Sequence, residues 1–391
     1  MNQNYTSNIL LKYCTSFEKR EYQIDGSNLE TDLDLVYDEV KTNKFTFDFN
    51  RVGNYLTVDL LTKKLVLRKL NDNILRIYQV KQANRSLIIK QVITILKESS
   101  PYWILKTDIK NFYESIDRKS LLNKLKEDTI LSYYSNLLLN KIDEHLNDCN
   151  LQGLPRGLSI SSTLSEIYLR NFDRQIKMTS SIFYYARFVD DILIFCTNRE
   201  QASEIQKSLN ASLPKGLKSN KLKTKIYNSN RILESEPLIY LGYEFWKKKE
   251  GDETNLVISI AKNKVKKLKT KIAKTVFNYL KTKDFELLVK RMRFLTGNFS
   301  IRNSDKTNDL LAGIYYNYPA INNYKILDDL NVFYRKLISA SNGDLGVKMK
   351  GDINPFQLVR LKKYSFKCGF TKRIVKRFTK KELGAITSCW R

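Results

Sequence analysis

Residues 184–195 read Tyr-Tyr-Ala-Arg-Phe-Val-Asp-Asp-Ile-Leu-Ile-Phe. Aromatic and β-branched runs flank two adjacent carboxylates, Asp190 and Asp191, in the pattern of strand, tight turn, strand. Asp is common in turns, so taken alone the pair is equally at home at a solvated turn tip. Yet two like charges repel, and the Phe, Ile and Leu around them lower the local dielectric. A divalent cation neutralises both at once. A third carboxylate, Asp108, favours that second reading. It closes the apolar strand Trp-Ile-Leu-Lys-Thr-Asp (103–108), and a loop or short helix follows. Hard cations such as Mg²⁺ take oxygen ligands and borrow the rest from substrate phosphates. Two such ions clamp the attacking and leaving oxygens of a phosphoryl transfer.

Composition narrows the class. A chain of 391 residues is long for one core, so two or three subdomains are expected. Lys and Arg number 68 against 41 Asp and Glu, a net charge of +27, which points to a polyanionic partner. Five Cys fit no zinc spacing, and free thiols in a reducing cytoplasm are the simplest reading. His145 is the lone His, which excludes His-rich zinc nuclease chemistry. Residues 1–11 lack an apolar signal core, and no apolar run is long enough to span a membrane.

Further blocks make the chain resemble the reverse transcriptases. Asp108 matches that family's first palm Asp, and Phe188-Val189-Asp190-Asp191 its aromatic-x-Asp-Asp signature. Between them, residues 153–161, Gly-Leu-Pro-Arg-Gly-Leu-Ser-Ile-Ser, are similar to the Leu-Pro-x-Gly-x-x-x-Ser block that precedes a palm helix. Downstream, Asn220-Lys221-Leu222-Lys223-Thr224 resembles the Asn-x-x-Lys-Thr block, and Tyr240-Leu241-Gly242-Tyr243-Glu244-Phe245 the primer-grip hairpin. Five blocks in order cover roughly residues 60–250. Arg156 replaces the usual Gln, Ser162 a frequent Pro, Phe188 the commoner Tyr, and Val189 the common Ala. None of these removes a carboxylate.

The resemblance implies an α+β right-hand polymerase fold: fingers and palm of antiparallel sheet plus helices, then an α-helical thumb with a helical C-terminal extension. The expected division is an N-terminal extension over 1–50, fingers and palm over 51–254, and thumb and extension over 255–391. The resemblance also implies RNA-directed DNA polymerisation with two Mg²⁺ ions, or Mn²⁺ in their place. Asp108 and Asp190 would bind the metals and Ile109 would add its backbone carbonyl. Asp191 would support the site electrostatically and approach one metal. Tyr113 stands where the family places an aromatic under the sugar, which implies deoxynucleotide preference; packing in the core is the plain alternative.

Arg76 would fork onto the triphosphate, with Arg85 buttressing the corner and Arg68, Lys69 or Lys81 as a second contact. A solvated basic strand accounts for these cations equally well. Gly157 would let backbone pass close to the nucleotide, and Arg156 would touch nucleotide or template. Lys223 would act as acid to the leaving pyrophosphate, or is an ordinary surface lysine. Lys262, Lys266 and Lys269 stud a helix that would follow a duplex backbone, or simply face solvent.

Local patterning predicts strands within 51–82, including 65–67 and 74–78, and a helix over 84–98 with Leu87, Ile88, Val92, Ile95 and Leu96 on its stripe. It predicts further helices over 119–147, 159–176 and 201–212, with Ile160, Leu164, Ile167 and Phe172 on the inner face of the second.

Residues 291–298 and 313–318 resemble stretches of bacterial defence-associated reverse transcriptases of the unknown and abortive-infection groups; retron enzymes are close relatives. That implies antiphage defence in the cytoplasm, a noncoding RNA as template or scaffold, dNTPs as substrates and a DNA product. A homo-oligomer or a second polymerase subunit is also implied. The alternatives are a template-independent or protein-primed DNA polymerase of the same fold, a retron-type enzyme, and a non-catalytic RNA-binding scaffold.

Overall fold

The computed structural model describes residues 2–24, 28–301, 310–340, 343, 347 and 351–390. The chain divides into two compact units, Met1–Val92 with Glu98–Asn230, and Ile93–Lys97 with Arg231–Arg391. The expected breaks lay at 50/51 and 254/255. Instead residues 1–50 share the first unit's core through Tyr5, Leu10, Leu33 and Val40, and the 238–260 strands belong to the second unit.

The first unit opens with helices α1 (Ser7–Leu10), α2 (Ser16–Ile24) and α3 (Leu29–Lys41), then a hairpin of β1 (Phe49–Val52) and β2 (Tyr55–Val58). Helix α4 (Leu61–Ile77) follows. This corrects the strands expected at 65–67 and 74–78. Leu65, Val66, Leu70, Asn73 and Ile74 are buried at a spacing of three and four, a helical period that a window of five residues mistakes for alternation. Helix α5 (Arg85–Leu96), whose last four residues are counted with the second unit, buries Ile88, Ile89, Val92 and Leu96. Leu87, expected on that stripe, is exposed and Ile95 only half-buried.

Strand β3 (Trp103–Asp108) leads to the one-turn α6 (Phe112–Ser115). The helical stretch expected over 119–147 is broken in two, α7 (Arg118–Glu127) and α8 (Tyr133–Asp148), capped by the side chains of Asp117 and Ser132. Helix α9 (Ser159–Met178) buries Ile160, Leu164, Ile167 and Phe172 as expected. The hairpin of β4 (Ile182–Phe188) and β5 (Asp191–Cys196), helix α10 (Arg199–Ser212) and strand β6 (Lys225–Asn228) complete the unit. Its four-stranded antiparallel sheet runs β4-β5-β3-β6.

The second unit is not wholly helical. Strands β7 (Leu238–Tyr240), β8 (Tyr243–Glu250) and β9 (Glu253–Ile260) form one antiparallel sheet. Leu241 and Gly242 both have positive φ, the signature of a tight two-residue hairpin turn. Helix α11 (Lys262–Thr282) buries Val265, Ile272, Val276 and Tyr279 and exposes Lys262 and Lys266, whereas Lys269 is half-buried against the Phe333 ring. Then come α12 (Phe285–Thr296), β10 (Asn298–Ile301), β11 (Leu310–Gly313), α13 (Ile314–Asn317), α14 (Lys325–Ile338), α15 (Pro355–Lys362), α16 (Phe366–Lys372), β12 (Val375–Arg377) and α17 (Lys380–Thr387). Buried Arg291 donates to the Ile386 and Ala385 carbonyls, which fastens the C-terminal helix to α12. No described helix is long and apolar enough to cross a membrane.

Candidate active site

The first unit's sheet places the three aspartates. Asp108 ends β3 and Asp191 begins β5, and the two are paired directly across the strands. Directly opposed residues share a face, so both carboxylates project from the same side of the sheet. Asp190 sits in the two-residue turn between β4 and β5, and its carbonyl accepts a 3.0 Å hydrogen bond from the Ile109 N–H. The turn is thereby fastened to the residue after Asp108. Val189, the other turn residue, has φ of +58°. That is the left-handed region, rare for a β-branched residue.

One carboxylate is unevenly satisfied. Asp108 is buried; its Oδ2 accepts from Lys223 Nζ at 2.5 Å, and its Oδ1 is buried with no hydrogen-bond partner among the described residues. A buried acceptor left unmade is costly, and such atoms mark places where a ligand belongs. Charge crowding agrees with this. Burial, then the charge of Asp108, raises the pKa of Asp190. Burial, then Asp190, pushes Asp191 up to about 6. Lys106, two residues before Asp108 on the same strand face, has its pKa lowered by burial, against the pull of Asp191 and Asp108. The Asp108 hydrogen bond raises the pKa of Lys223.

Among the described residues no three His, Cys, Asp or Glu side chains form a ready-made metal cage. A hard cation needs only one or two carboxylates when substrate phosphate completes its shell. The orphaned Oδ1 and the oxygen-only donor set fit a divalent ion of this kind.

The 153–157 loop packs beside these residues. Gly153 has positive φ, and a Cβ there would lie 2.1 Å from the Tyr113 carbonyl, so the loop passes close over α6 only as glycine. At Gly157 the close approach within the chain is to the β1–β2 hairpin. Its φ is +97° and a Cβ would meet the Leu56 carbonyl at 2.4 Å, so its bareness serves the β1–β2 hairpin. Leu56 and Asn54 exchange backbone hydrogen bonds with Arg156. The Arg156 guanidinium donates to Glu114 at 2.8 and 3.3 Å and lies 6.0 Å from the Tyr113 ring centre. Tyr113 is half-buried rather than sealed in the core.

Three of the cations expected in the fingers, Arg76, Arg68 and Lys69, have partners within the chain. Arg76 lies on α4 and pairs with Asp72 one turn away at 2.9 Å. Arg68 forks onto Glu18 at 2.8 and 2.9 Å, and Lys69 is buried on the Asn2 carbonyl and Asn73. Arg85 opens α5, and Lys81 is exposed. The cations acting most strongly on Asp190 are Lys223 and Arg156. Sequence reasoning passed over Lys106, Glu114 and Arg187, although a charged residue inside the apolar run 103–108 or 184–195 was itself a signal.

The reverse transcriptase (RNA-dependent DNA polymerase) family model matches residues 50–245, half of the chain. The chain belongs to the reverse transcriptase family. Its α+β architecture is that of the right-hand polymerase fold. The matched segment of this reverse transcriptase holds Asp108, Asp190, Asp191 and Lys223 and ends within β8. Among solved structures, telomerase from Candida tropicalis with a TWJ fragment of telomeric RNA is similar at 14% identity and TM-score 0.37, over 94% of this chain and 60% of that one. The Candida albicans telomerase with the corresponding fragment gives 16% and 0.32, over 74% and 53%. The apo Candida tropicalis telomerase, truncated from its C-terminal domain, gives 15% and 0.35, over 57% and 48%. The chain thus spans about half to three fifths of these telomerase chains. No curated protein matches.

Proposed function

We propose that this reverse transcriptase is an RNA-directed DNA polymerase of antiphage defence, copying a noncoding RNA into DNA in the cytoplasm. The observation that carries the polymerase reading is the buried Oδ1 of Asp108, unpartnered among the described residues, on the sheet face that also bears Asp191, with Asp190 in the adjoining turn. Asp108, Asp190 and the Ile109 carbonyl would hold two Mg²⁺ ions, with Asp191 as electrostatic support. Bound there, the ions would neutralise triphosphate charge and sharpen the primer hydroxyl as nucleophile. Lys223, held on Asp108, would give a proton to departing pyrophosphate. Tyr113, half-buried against Arg156, is the surface on which a deoxyribose would rest. The net charge of +27 suits an RNA partner. The likeness of residues 291–298 and 313–318 to defence-associated enzymes supports the biological role.

Sequencing the nucleic acids that co-purify with the wild type and with the Asp190→Ala, Asp191→Ala double variant tests this. A discrete RNA with complementary DNA in the wild type alone is the expected result. DNA without a matching RNA would indicate untemplated synthesis, and RNA alone in both would leave a binding scaffold.

A further inference from the structure

We infer that Arg187 is a positioning residue that holds the strained turn beneath Asp190 in its metal-binding conformation. This rests on the reading of Asp190 as a metal ligand. Arg187 lies on β4, and its side chain is only 4% exposed. It is paired across the hairpin with Ile192, the neighbour of Asp191. Successive side chains alternate across a sheet, so Arg187 lies on the face opposite Asp191 and Asp108. It therefore reaches no substrate and acts from below.

Its guanidinium is fully committed. Nε and Nη2 donate to Asp173 at 2.9 and 2.7 Å, and Nη2 and Nη1 donate to Glu166 at 2.7 and 3.2 Å. Both carboxylates stand on α9, seven residues and two turns apart, so they share one helix face. The remaining bond runs from Nη1 to the Val189 carbonyl at 3.0 Å. Helix α9 thus fixes the fork, and the fork fixes the turn.

The turn needs such a hold. Val189 adopts a left-handed φ where the usual occupant of a tight hairpin turn is glycine. Strained backbone of this kind persists only when its surroundings over-determine it. Two hydrogen bonds do so here, Arg187 to the Val189 carbonyl from below and Ile109 N–H to the Asp190 carbonyl from β3. With the first removed, valine would relax to negative φ and swing the Asp190 carboxylate away from Asp108.

The test uses the full chain and Mg²⁺ alone as probe, read as the Mg²⁺-dependent rise in melting temperature, alongside kcat and dNTP KM. Arg187→Lys keeps the charge and loses the fork. It should weaken Mg²⁺ binding by about tenfold or more and lower kcat with little change in KM, the size usual when the partner of a metal ligand is lost. Adding Val189→Gly, which takes positive φ without cost, should restore part of the Mg²⁺ affinity. Wild-type affinity in folded Arg187→Lys, or no recovery on adding Val189→Gly, would overturn the inference. Should Arg187→Lys fail to fold, Glu166→Gln replaces it under the same two criteria. Asp190→Asn separates the two levels: if it still binds Mg²⁺ like the wild type, the ligand assignment itself fails, whatever Arg187 does.

Discussion

Lys223 Nζ lies 2.5 Å from Oδ2 of Asp108, while Oδ1 of the same carboxylate is buried without a hydrogen bond among the described residues. One aspartate thus joins the ammonium expected to serve the leaving group to an oxygen still open for a cation. The ammonium offsets part of the charge of three neighbouring carboxylates.

Removing a metal ligand should separate folding from binding. Asp108→Asn or Asp190→Asn should abolish polymerisation, a loss of about 10³-fold or more, on the scale of transition-state charge stabilisation. Mg²⁺ should raise the melting temperature of the wild type by mass action and leave either variant nearly unmoved. Thermal denaturation across a Mg²⁺ titration measures this.

Asp191 should make the metal-free protein less stable as pH rises. Its carboxyl is held neutral to about pH 6 by burial and by Asp190, against an ordinary value of 3.8. The folded state therefore binds the extra proton, and stability falls between these two values as that proton is lost. Asp191→Asn should remove this loss, up to about 3 kcal/mol at pH 7.5 and little at pH 4. Urea unfolding of both proteins in EDTA at the two pH values measures the difference.

Lys223→Ala should lower kcat by about 10²-fold with KM for dNTP within a small factor, as expected of a proton donor. Lys223→Arg keeps the ion pair but donates a proton poorly, and should resemble the alanine variant. Pre-steady-state single-nucleotide incorporation distinguishes the two parameters.

Tyr113→Ala should open the floor of the sugar site. Ribonucleotide incorporation relative to deoxynucleotide should rise about tenfold or more, since a 2′-hydroxyl is what distinguishes the two precursors. Competition between dCTP and CTP on one template reads this directly.

Gly157→Ala should destabilise the first unit by about 2–4 kcal/mol, the sum of a left-handed alanine and an overpacked contact. The added Cβ would meet the Leu56 carbonyl at 2.4 Å, and that carbonyl is backbone that cannot swing aside. Denaturant unfolding gives the value.

The carboxylates were legible because their chemistry is local. An Asp-Asp pair at the tip of an apolar hairpin and an Asp closing an apolar strand need no tertiary knowledge to be noticed. Helix α9 was legible for a similar reason, since its buried residues recur at a single period over 20 residues. Helix α4 was not. Within five residues, Leu65-Val66-Leu67 and Ile74 to Tyr78 satisfy either period, and burial against the rest of the unit decided for helix. The partners of the cations were not legible, for another reason. Which carboxylate Arg76, Arg68 or Arg187 pairs with depends on acids at positions 72, 18, 166 and 173, three of them distant in the chain. The sequence by itself determined the family to which the chain belongs and which carboxylates are candidates for its chemistry. Only the tertiary structure decided which charges are already spent, because an ion pair depends on separation in space, and the chain does not carry that distance in its order.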